Sequence, residues 1–148
     1  MAEASGFSVL ELMLALCLAM ILAGISVISH RALRPSLDLS AAVRQIVLDL
    51  RLTRMRAITD HDSHRIVFSD GAPEYRLQHR DGRAYRDDGA PVRLPGGVVV
   101  SDCSALDNAV GFGPRGSAGT FGTITVRNTI GEARQVIVDI TGDIRVQP

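Results

Sequence analysis

The feature that most constrains this chain is an apolar run near its start, GFSVLELMLALCLAMILAGISVIS, residues 6–29. From Phe7 to Ser29 it covers 23 residues, about 34 Å as a helix, against a bilayer core of about 30 Å. Only Ser8, Glu11, Ser26 and Ser29 interrupt it. They do not share one face, so the run lacks the polar stripe of a long helix in a soluble protein. It predicts a transmembrane helix. A cleaved secretory signal fits poorly, because MAEASG contains no Lys or Arg and SHRALRP is a poor cleavage site. Glu11 is the residue to explain. An ionisable group in a span costs about 2.5–3.5 kcal/mol at the bilayer centre and generally marks a function with a partner group. So near the start of the run, a carboxylate can also snorkel to the interface.

The segment GFSVLELM resembles the class III signal of type IV pilins and pseudopilins. That resemblance implies removal of a leader, residues 1–6, by prepilin peptidase between Gly6 and Phe7, followed by N-methylation of Phe7. Glu11 then becomes the fifth residue of the mature chain and matches the family's assembly glutamate, which pairs with the terminal amine of a neighbouring subunit. Two charges that are each costly in lipid are tolerated when paired. The leader departs from the family pattern, since MAEASG carries Glu3 and no basic residue, whereas Arg31 and Arg34 follow the run. A positive-inside count alone places the C-terminal part in the cytoplasm; the resemblance implies the periplasm, with a single pass through the bacterial inner membrane.

The 148 residues leave 119 beyond the run, room for one modest domain. Acidic and basic residues balance at 16 each, and every basic residue is Arg. Without Glu3 and Glu11 the remainder carries 14 acids against 16 arginines, a balance that demands no polyanionic partner. Cys17 lies in the apolar run and Cys103 far outside it, so no disulfide framework is expected. A lone Cys103 without a positioned base is a poor nucleophile.

A second helical stretch follows, SLDLSAAVRQIVLDLRLTRMRAITD, residues 36–60, with Pro35 ahead of it as a first-turn residue or a kink. At 100° per residue, Leu39, Val43, Ile46, Leu50 and Ala57 form one apolar stripe. Ala41, Leu48, Leu52 and Met55 form another on nearly the opposite side. The first is expected on the chain's own sheet; the second faces either neighbouring subunits or a lid of loops within the domain. From residue 64 the period becomes two. RIVF, YRLQH, GGVVVS, GTITVRN, RQVIVDI and DIRV read as six short strands. The expected fold class is α+β: a long N-terminal helix, membrane-spanning in its first half, packed on a C-terminal antiparallel β-sheet domain. The expected division is 1–6 leader, 7–29 transmembrane and assembly helix, 30–62 amphipathic second half, and 63–148 a periplasmic β-rich domain. The Gly-rich GFGPRGSAGTFGTITV and the closing VIVDITGDIRV make this layout similar to the GspH/FimT branch of the pilin-like proteins.

Three segments imitate other functions. GFGPRG, residues 111–116, satisfies G-x-G-x-x-G, but a dinucleotide site needs a helix after it, and a strand pattern, TFGTITV, follows. DHDSH, residues 60–64, brings His61 and His64 together on a helical turn without a further ligand cluster, so a polar helix-terminating loop is the expected reading. Neither segment supplies a nucleophile on a strained turn or an oxyanion site, so the chain is read as no enzyme. GDIR, residues 142–145, matches part of a Gly-Arg-x-Arg element that DNA-binding members of the FimT side carry, with Asp143 in place of the first arginine. Arg115, Arg127 and Arg145 are the candidate DNA contacts. The resemblance therefore implies a minor pseudopilin or minor pilin that initiates assembly at the tip of a type II secretion pseudopilus or type IV pilus, with a DNA receptor for transformation as the alternative. Its implied partners are other pilins or pseudopilins, prepilin peptidase, the inner-membrane assembly platform, and a secreted substrate or DNA. No cofactor or metal is implied.

Overall fold

The computed structural model describes residues 8–147, with side chains for 8–22 and 34–147. The chain forms two compact units, residues 1–34 and 35–148. Helix α1 runs Val9–Thr59 with Pro35 inside it. Within the first unit every described side chain from 8 to 22 is exposed. Leucine, methionine and isoleucine side chains face outward all round, and Glu11 lies in the first turn. Among the described residues no helix is long and apolar enough to cross a membrane. The expected span of 7–29 falls partly outside them, because Phe7 and the side chains of 23–29 are not described; Gly6 and the leader lie outside as well.

In the second unit the first apolar stripe is the core face of α1. Leu39, Val43, Ile46, Leu50 and Ala57 are all buried, joined by Ala42 and Thr53. Thr53 sits on that face because its hydroxyl donates back to the Asp49 carbonyl at 2.7 Å, which satisfies the polar atom within the helix. The other stripe is largely bare: Leu48, Leu52 and Met55 are exposed and Ala41 is half-buried, while Leu37, which the expected stripe did not include, is exposed as well, so no lid of loops covers it. The helix closes at Thr59, short of residue 62. His61 then takes a left-handed backbone conformation, φ 53°, which stops the helical repeat.

Among the described residues ten strands follow, where alternation predicted six. The six expected segments fall in β1 (His64–Phe68), β2 (Glu74–Asp81), β5 (Val99–Cys103), β8 (Gly122–Arg127), β9 (Ala133–Val138) and β10 (Ile144–Gln147). The additions are β3 (Ala84–Asp87), β4 (Val92–Arg93), β6 (Ala109–Phe112) and β7 (Ala118–Thr120). Two antiparallel sheets result. One is ordered β3-β2-β1-β6-β7, with β4 also paired to β2; the other is β10-β9-β8-β5.

Both sheets contribute inward side chains to one cluster with the helix stripe. Ile66, Phe68, Tyr75, Val110 and Phe112 come from the first sheet, and Val100, Ile124, Val126, Val136 and Val138 from the second. Each such side chain contributes about 1.5–3 kcal/mol on burial. Polar ties fix the helix at its flanks. Tyr75 donates its hydroxyl to Asp49, and Arg54 donates to the Gly142 carbonyl at 3.0 Å. Gly142 has φ +80°, and a Cβ there would stand 2.4 Å from the Gly116 carbonyl oxygen, so glycine is required on both counts.

Candidate functional site

Glu11 projects from the first turn of α1 and is exposed. Its backbone N–H donates to the Ser8 carbonyl at 3.0 Å, while its carboxylate meets no ion-pair or hydrogen-bond partner among the described residues. The chain thus carries an apolar helical surface with one carboxylate that nothing in its own described structure neutralises. Gly6 and Phe7, the expected cleavage and methylation residues, lie outside the described residues.

The three candidate arginines do not converge. Arg115 is exposed in the β6–β7 loop. Arg127 ends β8 opposite Ala133, whereas Arg145 pairs across from Ile137, at the other end of β9. Four residues along a strand separate those positions by about 13 Å. Arg145 also donates its Nε to Asp143 Oδ2 at 2.8 Å. That contact holds the Asp143 carboxyl below its ordinary range, first through the hydrogen bond and then through the charge. The same pairing raises the Arg145 value. The residue that interrupts the Gly-Arg-x-Arg pattern thus occupies the remaining arginine directly.

The His/Asp segment has a structural role that the sequence pattern did not reveal. His64, not His61, is the buried histidine, and its neighbour is His79, with ring centroids 6.2 Å apart. His64 Nε2 lies 3.0 Å from Asp60 Oδ2, and its Nδ1 lies 3.8 Å from Asp88 Oδ2. His79 Nδ1 is 2.5 Å from the other Asp88 oxygen, and Arg56 reaches Asp88 at 3.8 Å. These groups line an open cleft of about 430 Å³ and tie the end of α1 to β1, β2 and the turn after β3. No group of three or more His, Cys, Asp or Glu side chains among the described residues could hold a metal ion. The G-x-G-x-x-G match lies in β6 and the loop after it, and β7 follows, as its context predicts. Cys103 is buried and free, and burial raises its thiol value, which disfavours the nucleophilic thiolate.

The model of a family described as type II transport protein GspH matches residues 42–142. No curated protein matches the chain. Among solved structures, the chain is similar to the minor pseudopilin EpsH from the type 2 secretion system of Vibrio cholerae, at 12% identity and a TM-score of 0.62, over 74% of this chain and 96% of that one. It is also similar to the type IV minor pilin FimU of Pseudomonas aeruginosa, at 16% identity and a TM-score of 0.54, over 74% of this chain and 93% of that one. At these identities the structural likeness is one of fold: a helix laid on antiparallel sheets.

Proposed function

Because the chain belongs to the family of type II transport protein GspH, we propose that it is a minor pseudopilin or minor pilin, a structural subunit that helps initiate a pseudopilus or pilus at its tip. In this reading the chain spans the inner membrane through residues 7–29 with its β-rich domain in the periplasm. Prepilin peptidase cuts between Gly6 and Phe7, and the methylated Phe7 amine of one subunit meets Glu11 of the next.

The observation that carries the reading is the chemistry of α1. Its first part is apolar on every described side and bears one unpartnered carboxylate. A surface of this kind is at rest only in lipid or against other apolar helices, and its charge only beside a cation. Within the second unit, the exposed Leu37, Leu48, Leu52 and Met55 form a further apolar surface, which in this reading packs against neighbouring subunits. The β domain, with its near-neutral charge, supplies contacts to other minor subunits or to cargo.

Glu11→Ala tests this. The β domain is expected to keep its melting temperature, while incorporation of the chain into sheared filaments or into crosslinked assemblies with other pilin-like subunits falls at least tenfold. Incorporation at the wild-type level would refute the assembly role of Glu11.

A further inference from the structure

The outer face of the first sheet holds an arginine that the fold positions and leaves without an acid. Across the sheet, Asp87, Gln78, Arg65, Gly111 and Thr120 stand in one row on β3, β2, β1, β6 and β7. Arg65 donates its Nε to Gln78 Oε1 at 2.8 Å, and its guanidinium lies 3.8 Å from the centroid of the Tyr85 ring. One contact fixes the direction of the fork and the other fixes its plane. Its two terminal nitrogens make no hydrogen bond among the described residues.

Other arginines of the domain are engaged differently. Arg76 meets Asp87 at 3.0 Å, Arg86 meets Asp81 at 2.8 Å, Arg93 meets Glu74 at 3.6 Å and Arg145 meets Asp143 at 2.8 Å. Arg80, one row away, is exposed and donates its Nε to the Gly82 carbonyl. Among the described arginines, Arg65 alone combines partial burial, stacking on an aromatic ring and a cavity. That cavity, about 200 Å³, is walled by Ser63, Arg65, Tyr85 and Thr120, with glycines at its floor and rim. It exists because side chains are missing: a Cβ at Gly111 would come 3.1 Å from Arg65 Cβ and 3.2 Å from Thr120 Oγ1, while Gly119 looks onto open space.

We propose that this pocket receives a carboxylate, an Asp or Glu side chain or a C-terminus, presented by a partner protein, which Arg65 grips with its free terminal nitrogens beside the Ser63 and Thr120 hydroxyls. The proposal deepens the reading of the chain as a subunit that meets other proteins, and it rests on that reading. Geometry favours a protein carboxylate over a nucleic acid. The pocket has room for one side chain and offers one free fork, whereas polyanion binding draws on a row of cations. Arg76 and Arg86 on the same hairpin are already paired with acids.

The composition supplies a direct test. The chain contains no lysine, so Arg65→Lys introduces its only side-chain amine, at the pocket. Full-length chain carrying this substitution is produced with its companion proteins, treated with a zero-length carbodiimide and analysed by mass spectrometry. Folding is checked by melting temperature, and incorporation is scored on the same sample. The expected result is an amide link to an acidic residue or C-terminus of another protein, enriched at least tenfold over Arg83→Lys, which places the amine on the exposed β2–β3 turn. Arg65→Gln is expected to retain the fold and reduce recovery of that partner at least tenfold. A link no stronger than that of Arg83→Lys, a link only to the chain's own acids, or recovery of nucleic acid in place of a protein overturns the proposal. Absence of the link from chain that has been incorporated overturns the pocket alone and leaves the subunit role standing.

Discussion

Leu48 and Leu50 stand two residues apart on α1, yet Leu48 is 62% exposed and Leu50 is fully buried. The two faces they represent have similar chemistry: Leu39, Val43, Ile46, Leu50 and Ala57 on one, Leu37, Leu48, Leu52 and Met55 on the other. What separates them is the company the sheets provide. Both sheets close over the first face, whereas Leu48 on the second shares an open groove with Val146 of β10 and stays exposed. Apolarity along a helix thus reports how many surfaces it can meet, while the fold of one chain determines which of them are met within that chain.

The largest effect is expected at the centre of the covered face. Leu50→Ala should destabilise the domain by about 2–5 kcal/mol, the range for truncating a buried leucine. Guanidinium unfolding of the full chain in detergent micelles measures this, with tyrosine emission as the probe in a protein without Trp. A loss below about 1 kcal/mol would mean that the face is not a packed core.

A smaller effect belongs to the flank. Tyr75→Phe removes the hydroxyl that meets Asp49 and should cost about 1–3 kcal/mol, as expected when a charged group loses a buried hydrogen bond. It also has a pH signature. Burial, and next the Asp49 carboxylate, raises the Tyr75 phenol well above its usual 10.0. Below pH 10 folded and unfolded chains both retain the proton, so this contribution to stability is complete. Above pH 10 the unfolded chain ionises first, and stability declines until the folded phenol ionises too. The wild type should therefore lose stability more steeply above pH 10 than Tyr75→Phe; equal slopes in alkaline denaturant titrations would contradict this.

The smallest effect is expected on the exposed face of the helix. Leu48→Ala should change domain stability by no more than about 0.5 kcal/mol, as exposed substitutions do, under the same unfolding assay. A cost comparable to that of Leu50→Ala would show that the outer stripe is covered within the chain after all.

The fold was partly legible for reasons visible in particular residues. The core stripe of α1 appeared at helical period because a helix on a sheet needs one continuous apolar face. Strands such as β1, β8 and β9 appeared because one side is covered more than the other, whereas β10, which has no buried residue, showed itself through the alternation of Ile144 and Val146 alone. The missed strands lack that contrast: Ala84–Asp87 in β3 is exposed at every residue, and Ala109–Phe112 in β6 is buried at every residue. Neither generates alternation. The Asp-Gly pair at 81–82 was the available signal for the β2–β3 hairpin.

The apolar run with Glu11 at its start, the helix-to-sheet order and the neutral charge balance could be read from the residues alone, because these depend on local composition and period. That Asp143 occupies Arg145, that His64 is joined to Asp88 rather than to His61, and that Arg65 lies against Tyr85 above a glycine floor emerged in the folded chain. Those contacts follow from strand register and sheet order, which bring distant residues together through pairings that no local period encodes.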